Sequence, residues 1–150
     1  MPGLYYEDFE VGQTFDHPIR RTITETDNVL ITTMTHNPAA LHLDAEYMKS
    51  TPFGKPIVNS CLTLGFMVGI SVNDTTHGTA VANLGWDEVR FPAPLYCGDT
   101  IHIETEVLEL RDSKSRPDNG IVIFVHRAYN QNNDLVGECK RSALMLRRPA

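Results

Sequence analysis

His42 follows Asn37 by five residues, and Pro38 lies between them. An imidazole titrates near neutral pH and can act as a general base, whereas a carboxamide forms hydrogen bonds without taking a proton. The pair therefore predicts proton transfer by His42, with Asn37 orienting either a water molecule or the imidazole ring. His36 is a second candidate proton carrier, although a solvated loop position explains it more simply.

A polar pair opens the most apolar part of the chain. Asn59 and Ser60 lie near the start of the segment Ile57–Val72, whose composition predicts a buried helix. Backbone amides at the start of a helix lack intrahelical acceptors, and the helix dipole favours negative charge there. Asn59 and Ser60 are therefore candidates for binding a substrate oxygen that becomes an oxyanion.

Each of these residues also has a purely structural interpretation. A loop histidine bonded to a backbone carbonyl would explain His42, and a turn residue before proline would explain Asn37. Asn59 and Ser60 have the residue types of a helix N-cap. Asp44 is better explained as the N-cap of a short helix than as a catalytic acid.

Composition narrows the class of protein. The chain has 150 residues, which predicts one domain over residues 1–150. Its formal charge of −6 argues against nucleic acid as a partner. Three widely spaced cysteines without a CxxC motif argue against a metal site or a disulfide framework, so we expect reduced thiols and a cytoplasmic protein. The N-terminus does not resemble a signal peptide, and Ile57–Val72 is shorter than the roughly 18–20 residues of a membrane span.

The first half of the chain is predicted to be helical around the polar pairs. Thr24 and Asp27 have the spacing of a capping box, which predicts a helix ending near Thr35. Its inward-facing residues are predicted to be Val29, Leu30, Thr33 and Met34. In the apolar helix, Gly65 and Gly69 are predicted to let the helix lie close to a sheet.

The second half has strand patterns. Strands are predicted near Ala80–Phe91, Ile101–Val107, Ile121–Val125 and Leu135–Leu146. Ile121–Val125 is continuously apolar, which is typical of a central strand, and His102 and His126 are interpreted as ordinary surface or pairing residues. One long apolar helix followed by antiparallel strands indicates an α+β domain, in which we expect the sheet to wrap the helix and bury its whole circumference.

Three segments together resemble a known family. They are Asn37-Pro38 with His42-x-Asp44, Phe53-Gly54-Lys55-Pro56-Ile57-Val58, and Arg90-Phe91-Pro92-Ala93-Pro94-Leu95-Tyr96-Cys97-Gly98-Asp99-Thr100. These segments are similar to the MaoC-like (R)-specific enoyl-CoA hydratases of the hot-dog fold. The resemblance implies a sheet around a central helix, a homodimer or higher homo-oligomer, a coenzyme A thioester as substrate, and no metal or redox cofactor.

The implied reaction is reversible hydration of a short-chain enoyl-CoA. The sequence looks closest to family members that act on branched or dicarboxylic substrates such as mesaconyl-CoA or itaconyl-CoA. In this reading His42 is the base, Asn37 orients, and Asn59 and Ser60 bind the thioester oxygen. Arg90 and Arg116 are candidates for contacts with the phosphates of coenzyme A, and a solvated surface is the simpler explanation of each.

One departure from the family pattern keeps two alternatives open. The residue five positions before the family's histidine is usually aspartate, and here it is Asn37. An acyl-CoA thioesterase is one alternative, because the same fold hosts that activity. A non-catalytic subunit that binds acyl-CoA is the other, because the family's acid is missing.

Overall fold

A computed structural model describes residues 3–149 of the chain. A single 3-10 turn over Tyr6–Asp8 precedes the regular elements. In chain order these are β1 Thr14–Asp16, β2 Arg21–Thr22, α1 Glu25–Met34, α2 Ala40–Leu43, α3 Ala45–Met48, α4 Ser60–Thr75, β3 Ala80–Arg90, β4 Thr100–Asp112, β5 Asn119–Tyr129 and β6 Leu135–Leu146. This content confirms the predicted α+β class.

The strands form one antiparallel sheet in the order β1-β4-β5-β6-β3, and β2 pairs with the start of β4. The prediction that Ile121–Val125 is a central strand is confirmed, because β5 has β4 on one side and β6 on the other. The loop between β5 and β6 is closed by Asn130, whose side-chain oxygen accepts the backbone amides of Asn132 and Asp134.

Helix α4 lies against the inner face of this sheet. Met67 and Ile70 are buried in a core cluster that includes Val136 and Cys139 of β6. Gly137 of β6 permits the close approach, because a Cβ there would lie 3.1 Å from Thr63 Cγ2 and 3.2 Å from Met67 Sδ. The glycine that brings helix and sheet together therefore belongs to the strand.

The expectation that the sheet buries the whole circumference of α4 was wrong. Cys61, Gly65 and Gly69 form an exposed stripe on the helix, and a Cβ added at either glycine would meet nothing within 4 Å. Their predicted packing against the sheet was therefore also wrong. The physical reason is that the sheet of one chain covers one side of the helix, and these small residues occupy the other side.

The buried face of helix α1 differs from the predicted one. Its capping box is present, because Thr24 and Asp27 exchange side-chain and backbone hydrogen bonds. The four residues predicted to face inward are all exposed, however, and the buried residues of the helix are Asn28 and Thr32. The inner face of α1 meets backbone groups of the next loops rather than an apolar core, so its polar side chains point inward.

Of the two interpretations of His102 and His126, the surface one was wrong, because both are buried, whereas both do pair across the sheet, with Tyr129 and Cys139 respectively. His126 lies at the end of a buried polar chain in which each link is 2.8 Å, running from Asp74 through His17 and Thr105 to His126 Nδ1. Burial, followed by the charges of Arg141 and His17, lowers the pKa of His126 from 6.5 to about 3. His126 is therefore a neutral core residue.

Strand β3 lies at the edge of the sheet and is solvent-exposed along nearly its whole length. Its exposed apolar side chains are Val81, Leu84, Trp86 and Val89, and Phe91 follows directly after it. An exposed apolar edge strand is a template for pairing with another chain.

In the described part of the chain, no helix is long and apolar enough to cross a membrane.

Candidate active site

His42 is held at the end of α2 by a hydrogen bond from its ring to a neighbouring loop. Its Nδ1 lies 2.9 Å from the carbonyl oxygen of Ile57. A carbonyl can only accept, so Nδ1 carries a proton, and in the neutral ring the lone pair lies on Nε2. The ring is half-buried and lines a cavity at the start of α4. A neutral imidazole with a free Nε2 is the form that a general base requires.

The start of α4 presents one backbone amide without a partner. Asn59 is the N-cap and its side-chain oxygen accepts the amide of Cys61, which confirms the predicted cap. The amide of Asn59 donates to the side chain of Asn28, and that of Leu62 donates to the Asn59 carbonyl. Within residues 3–149, the amide of Ser60 has no acceptor. It is therefore the donor available for a ligand oxygen.

His42 and Ser60 line the same cavity. This cavity has a volume of about 450 Å³, and Thr63 is the third polar residue on its wall. Apolar groups supply the rest of the wall, among them Phe53, Phe91 and Val136. A largely apolar cavity with a few polar groups on its wall is typical of a small-molecule site. The geometry suits an apolar chain carrying a carbonyl.

The other predicted site residues lie outside this cavity wall. The Asn37 side-chain oxygen accepts the amide of Ala39, which is a local turn bond. Arg90 lies next to Phe91 and is paired with Glu138. Arg116 lines a separate cavity that includes Leu84 and Leu144. The roles assigned to Asn37, Arg90 and Arg116 stay predictions.

Sequence reasoning missed Asn28, Thr32 and Thr63. Asn28 and Thr32 hydrogen-bond the residue that caps α4, and Thr63 forms part of the cavity wall. One signal was present: Asn28 and Thr32 are four residues apart, so on a helix they share a face. The predicted inward face was instead chosen by hydrophobicity, and the structure buries Asn28 and Thr32.

The candidate metal ligands and the thiols of the described residues are dispersed. Residues 3–149 contain no group of three or more His, Cys, Asp or Glu side chains arranged to hold an ion. Cys61, Cys97 and Cys139 are all free thiols. The cavity wall itself contains no aspartate or glutamate among its lining residues.

Comparison with protein families matches residues 8–126 to the MaoC like domain. The chain belongs to the MaoC-like domain family. Its similarity to characterised members extends over nearly the whole length. It is 34% identical over 148 residues to a beta-methylmalyl-CoA dehydratase of Chloroflexus aurantiacus, and the alignment covers 98% of this chain and 41% of that protein. It is 28% identical over 134 residues to a mesaconyl-CoA hydratase of Cereibacter sphaeroides, covering 89% of this chain and 38% of that protein.

The chain therefore spans about two fifths of the length of these two relatives. Two solved structures are also similar to this chain, and one of them matches it over nearly its whole length. A protein from Archaeoglobus described as a monoamine oxidase regulatory protein has a TM-score of 0.89 at 31% identity, covering 99% of this chain and 98% of that one. A Mycobacterium tuberculosis protein described as a double hot-dog fold has a TM-score of 0.86 at 25% identity, covering 98% of this chain and 45% of that one. The predicted hot-dog fold is confirmed.

Proposed function

We propose that this MaoC-like domain catalyses the reversible hydration of a short-chain enoyl-CoA thioester. The observation that carries the proposal is the shared cavity wall of His42 and Ser60, which places an imidazole with an unbonded Nε2 and an unpaired backbone amide beside a largely apolar cavity. The names of the two curated relatives, a dehydratase and a hydratase of CoA esters, support the reaction class.

The proposed chemistry uses one base and one oxyanion donor. His42 Nε2 removes a proton from water as the water oxygen bonds to the β-carbon, and the electron pair of the double bond moves toward the thioester oxygen. The amide of Ser60 and the N-terminal dipole of α4 stabilise the enolate. The imidazolium then gives its proton to the α-carbon, so the elements of water add across the double bond. No step requires a metal or a redox cofactor.

Single-residue roles follow from this scheme. Ser60 donates from its amide, whereas Asn59 shapes the helix start because its own amide is already bonded to Asn28. Asn37 is proposed to orient the loop that carries His42, through its bond to Ala39. Arg90 stands beside the cavity wall and is proposed to contact a phosphate of coenzyme A, and Arg116 is a more distant candidate for the same role.

The active form is proposed to be a cytoplasmic homodimer joined along β3. Val81, Leu84 and Trp86 expose apolar surface on a strand with a free edge in the described part of the chain. Phe91, at the end of the same strand, lines the cavity. A second copy on β3 would therefore cover the edge and lie beside the cavity mouth.

The test is a panel of CoA esters in water labelled with ¹⁸O. Crotonyl-, mesaconyl- and itaconyl-CoA are incubated with the full chain, and products are followed by mass and by chiral separation. Addition of one labelled water, giving the (R)-hydroxyacyl thioester from crotonyl-CoA, is expected. Release of free thiol would identify a thioesterase instead. Binding of CoA esters without turnover would identify a binding subunit and refute the enzymatic proposal.

A further inference from the structure

Asn28 is the most completely bonded buried side chain near the site. It is 1% exposed, and both Nδ2 and Oδ1 of its carboxamide form hydrogen bonds. The Nδ2 group donates to the carbonyl oxygens of His42 at 3.3 Å and Ile57 at 3.2 Å. The Oδ1 atom accepts the amide of Asn59 at 2.8 Å. One side chain on α1 therefore joins the loop of the base to the start of α4.

The three backbone groups held by Asn28 are the ones that fix the two reacting positions. The Ile57 carbonyl also receives the Nδ1 proton of His42, so Asn28 and the imidazole share one acceptor. The Asn59 amide directly precedes Ser60, whose amide is the free donor. A shift of Asn28 would move the base and the oxyanion donor relative to each other.

A carboxamide is the group that this position requires. It must donate two hydrogen bonds and accept one at the same time, which an ionised carboxylate cannot do. An apolar residue would leave three buried backbone groups without this partner. This requirement explains why α1 turns a polar residue inward while Val29 and Leu30 face solvent.

We propose that Asn28 is a positioning residue that sets the geometry between His42 and the Ser60 amide. The proposal rests on the proposed function for its kinetic consequence, whereas the tautomer of His42 can be measured without activity. Asn28 is absent from the wall of the cavity that His42 and Ser60 share, and it lines a smaller second cavity together with His42. Both polar atoms of its carboxamide are bonded to backbone groups, so it acts through these neighbours. Misplacement of reacting groups by about 1 Å is enough to reduce a rate by about 100-fold.

The sharpest variant is Asn28→Asp, which keeps the volume and the acceptor for the Asn59 amide but loses both donors when ionised. We expect kcat to fall by about 10- to 100-fold with KM changed by less than about threefold, because the base is misplaced while the cavity is intact. In the His42→Gln background, the same substitution is expected to change kcat by less than about threefold, since the group it positions is already absent.

Two controls and one replacement variant separate positioning from general destabilisation. Asn119→Ala removes another buried asparagine, which bonds the Met145 carbonyl far along the sheet, and is expected to keep the wild-type kcat. Thr32, on the same helix as Asn28, accepts a hydrogen bond from the Asn59 side chain. Thr32→Val removes this acceptor and therefore tests the contact with the start of α4 while Asn28 and the loop of His42 are unchanged. Asn28→Leu, assayed below its melting temperature, replaces the aspartate variant if that one does not fold.

Nitrogen NMR of the His42 ring gives the readout that is independent of catalysis. The wild type is expected to show the proton on Nδ1. Asn28→Asp is expected to show a mixture of both tautomers, because the loop that carries the Ile57 carbonyl is no longer held and can move away from the ring. Wild-type kcat together with an unchanged tautomer in folded Asn28→Asp or Asn28→Leu would overturn the proposal. Absence of hydration by the wild type would overturn the proposed function, and the tautomer would still decide the role of Asn28.

Discussion

Replacing His126 by asparagine should flatten the dependence of stability on pH. The native pKa of His126 is about 3, against 6.5 for an unperturbed histidine, because burial and then the charges of Arg141 and His17 disfavour its protonation. Between these two values the unfolded chain binds a proton that the native chain does not. The contribution of His126 to the free energy of unfolding is therefore most favourable above pH 6.5, and it is lost as the pH drops toward 3. Asparagine does not titrate, and it can still bond Thr105.

The magnitude follows from the two pKa values. Linkage predicts that His126 alone removes about 3 kcal/mol from the free energy of unfolding between pH 7 and pH 4. Urea unfolding at both pH values gives the loss in free energy of unfolding on acidification for each protein. Subtracting the loss of the variant from that of the wild type isolates His126, because the titratable groups that both proteins share cancel. The variant should be less stable at pH 7 and should lose about 3 kcal/mol less on acidification. An equal loss in both proteins would refute the assignment of a neutral, buried His126.

Three further predictions concern the cavity and the edge strand. Gly137→Ala would press on Thr63 and Met67, so it should cost about 1–3 kcal/mol in urea unfolding and raise KM more for longer acyl chains than for crotonyl-CoA; equal KM changes would contradict this. Ser60→Pro removes the free amide at the first position of α4, which tolerates proline, so kcat should fall about 100-fold while circular dichroism stays unchanged. Ser60→Ala is the matched control, because it keeps the backbone amide. Trp86→Glu should convert a dimer to monomers in sedimentation, and a dimer of unchanged affinity would exclude β3 as the interface.

The fold was predictable because its signals are periodic and local. The apolar run of α4 and the alternation in β4 identify their elements directly, and the capping box at Thr24 fixes the start of α1. The exposed stripe of α4 was not predictable, since burial was inferred from composition without knowing that the sheet covers one side. Hydrophobicity alone carries no information about which side of a small-residue helix a sheet will face.

The candidate site was predictable in part. His42 and Ser60 were identified from their residue types and their place beside a proline and a helix start, and they share a cavity wall. Asn28 was missed because a buried asparagine on a helix contradicts the usual inside-outside pattern. Such an exception becomes visible when the backbone groups that it satisfies are known, and those groups belong to segments distant in sequence.

The central claim is that the imidazole of His42 is the base that activates water. Its most direct test is the rate of hydration of the best substrate by His42→Gln, with His36→Gln as the matched control from the same loop. We expect kcat to fall by about 10²- to 10⁴-fold in the first variant, with circular dichroism unchanged, and to stay at the wild-type value in the second. A folded His42→Gln protein that hydrates its substrate at the wild-type rate would contradict the account.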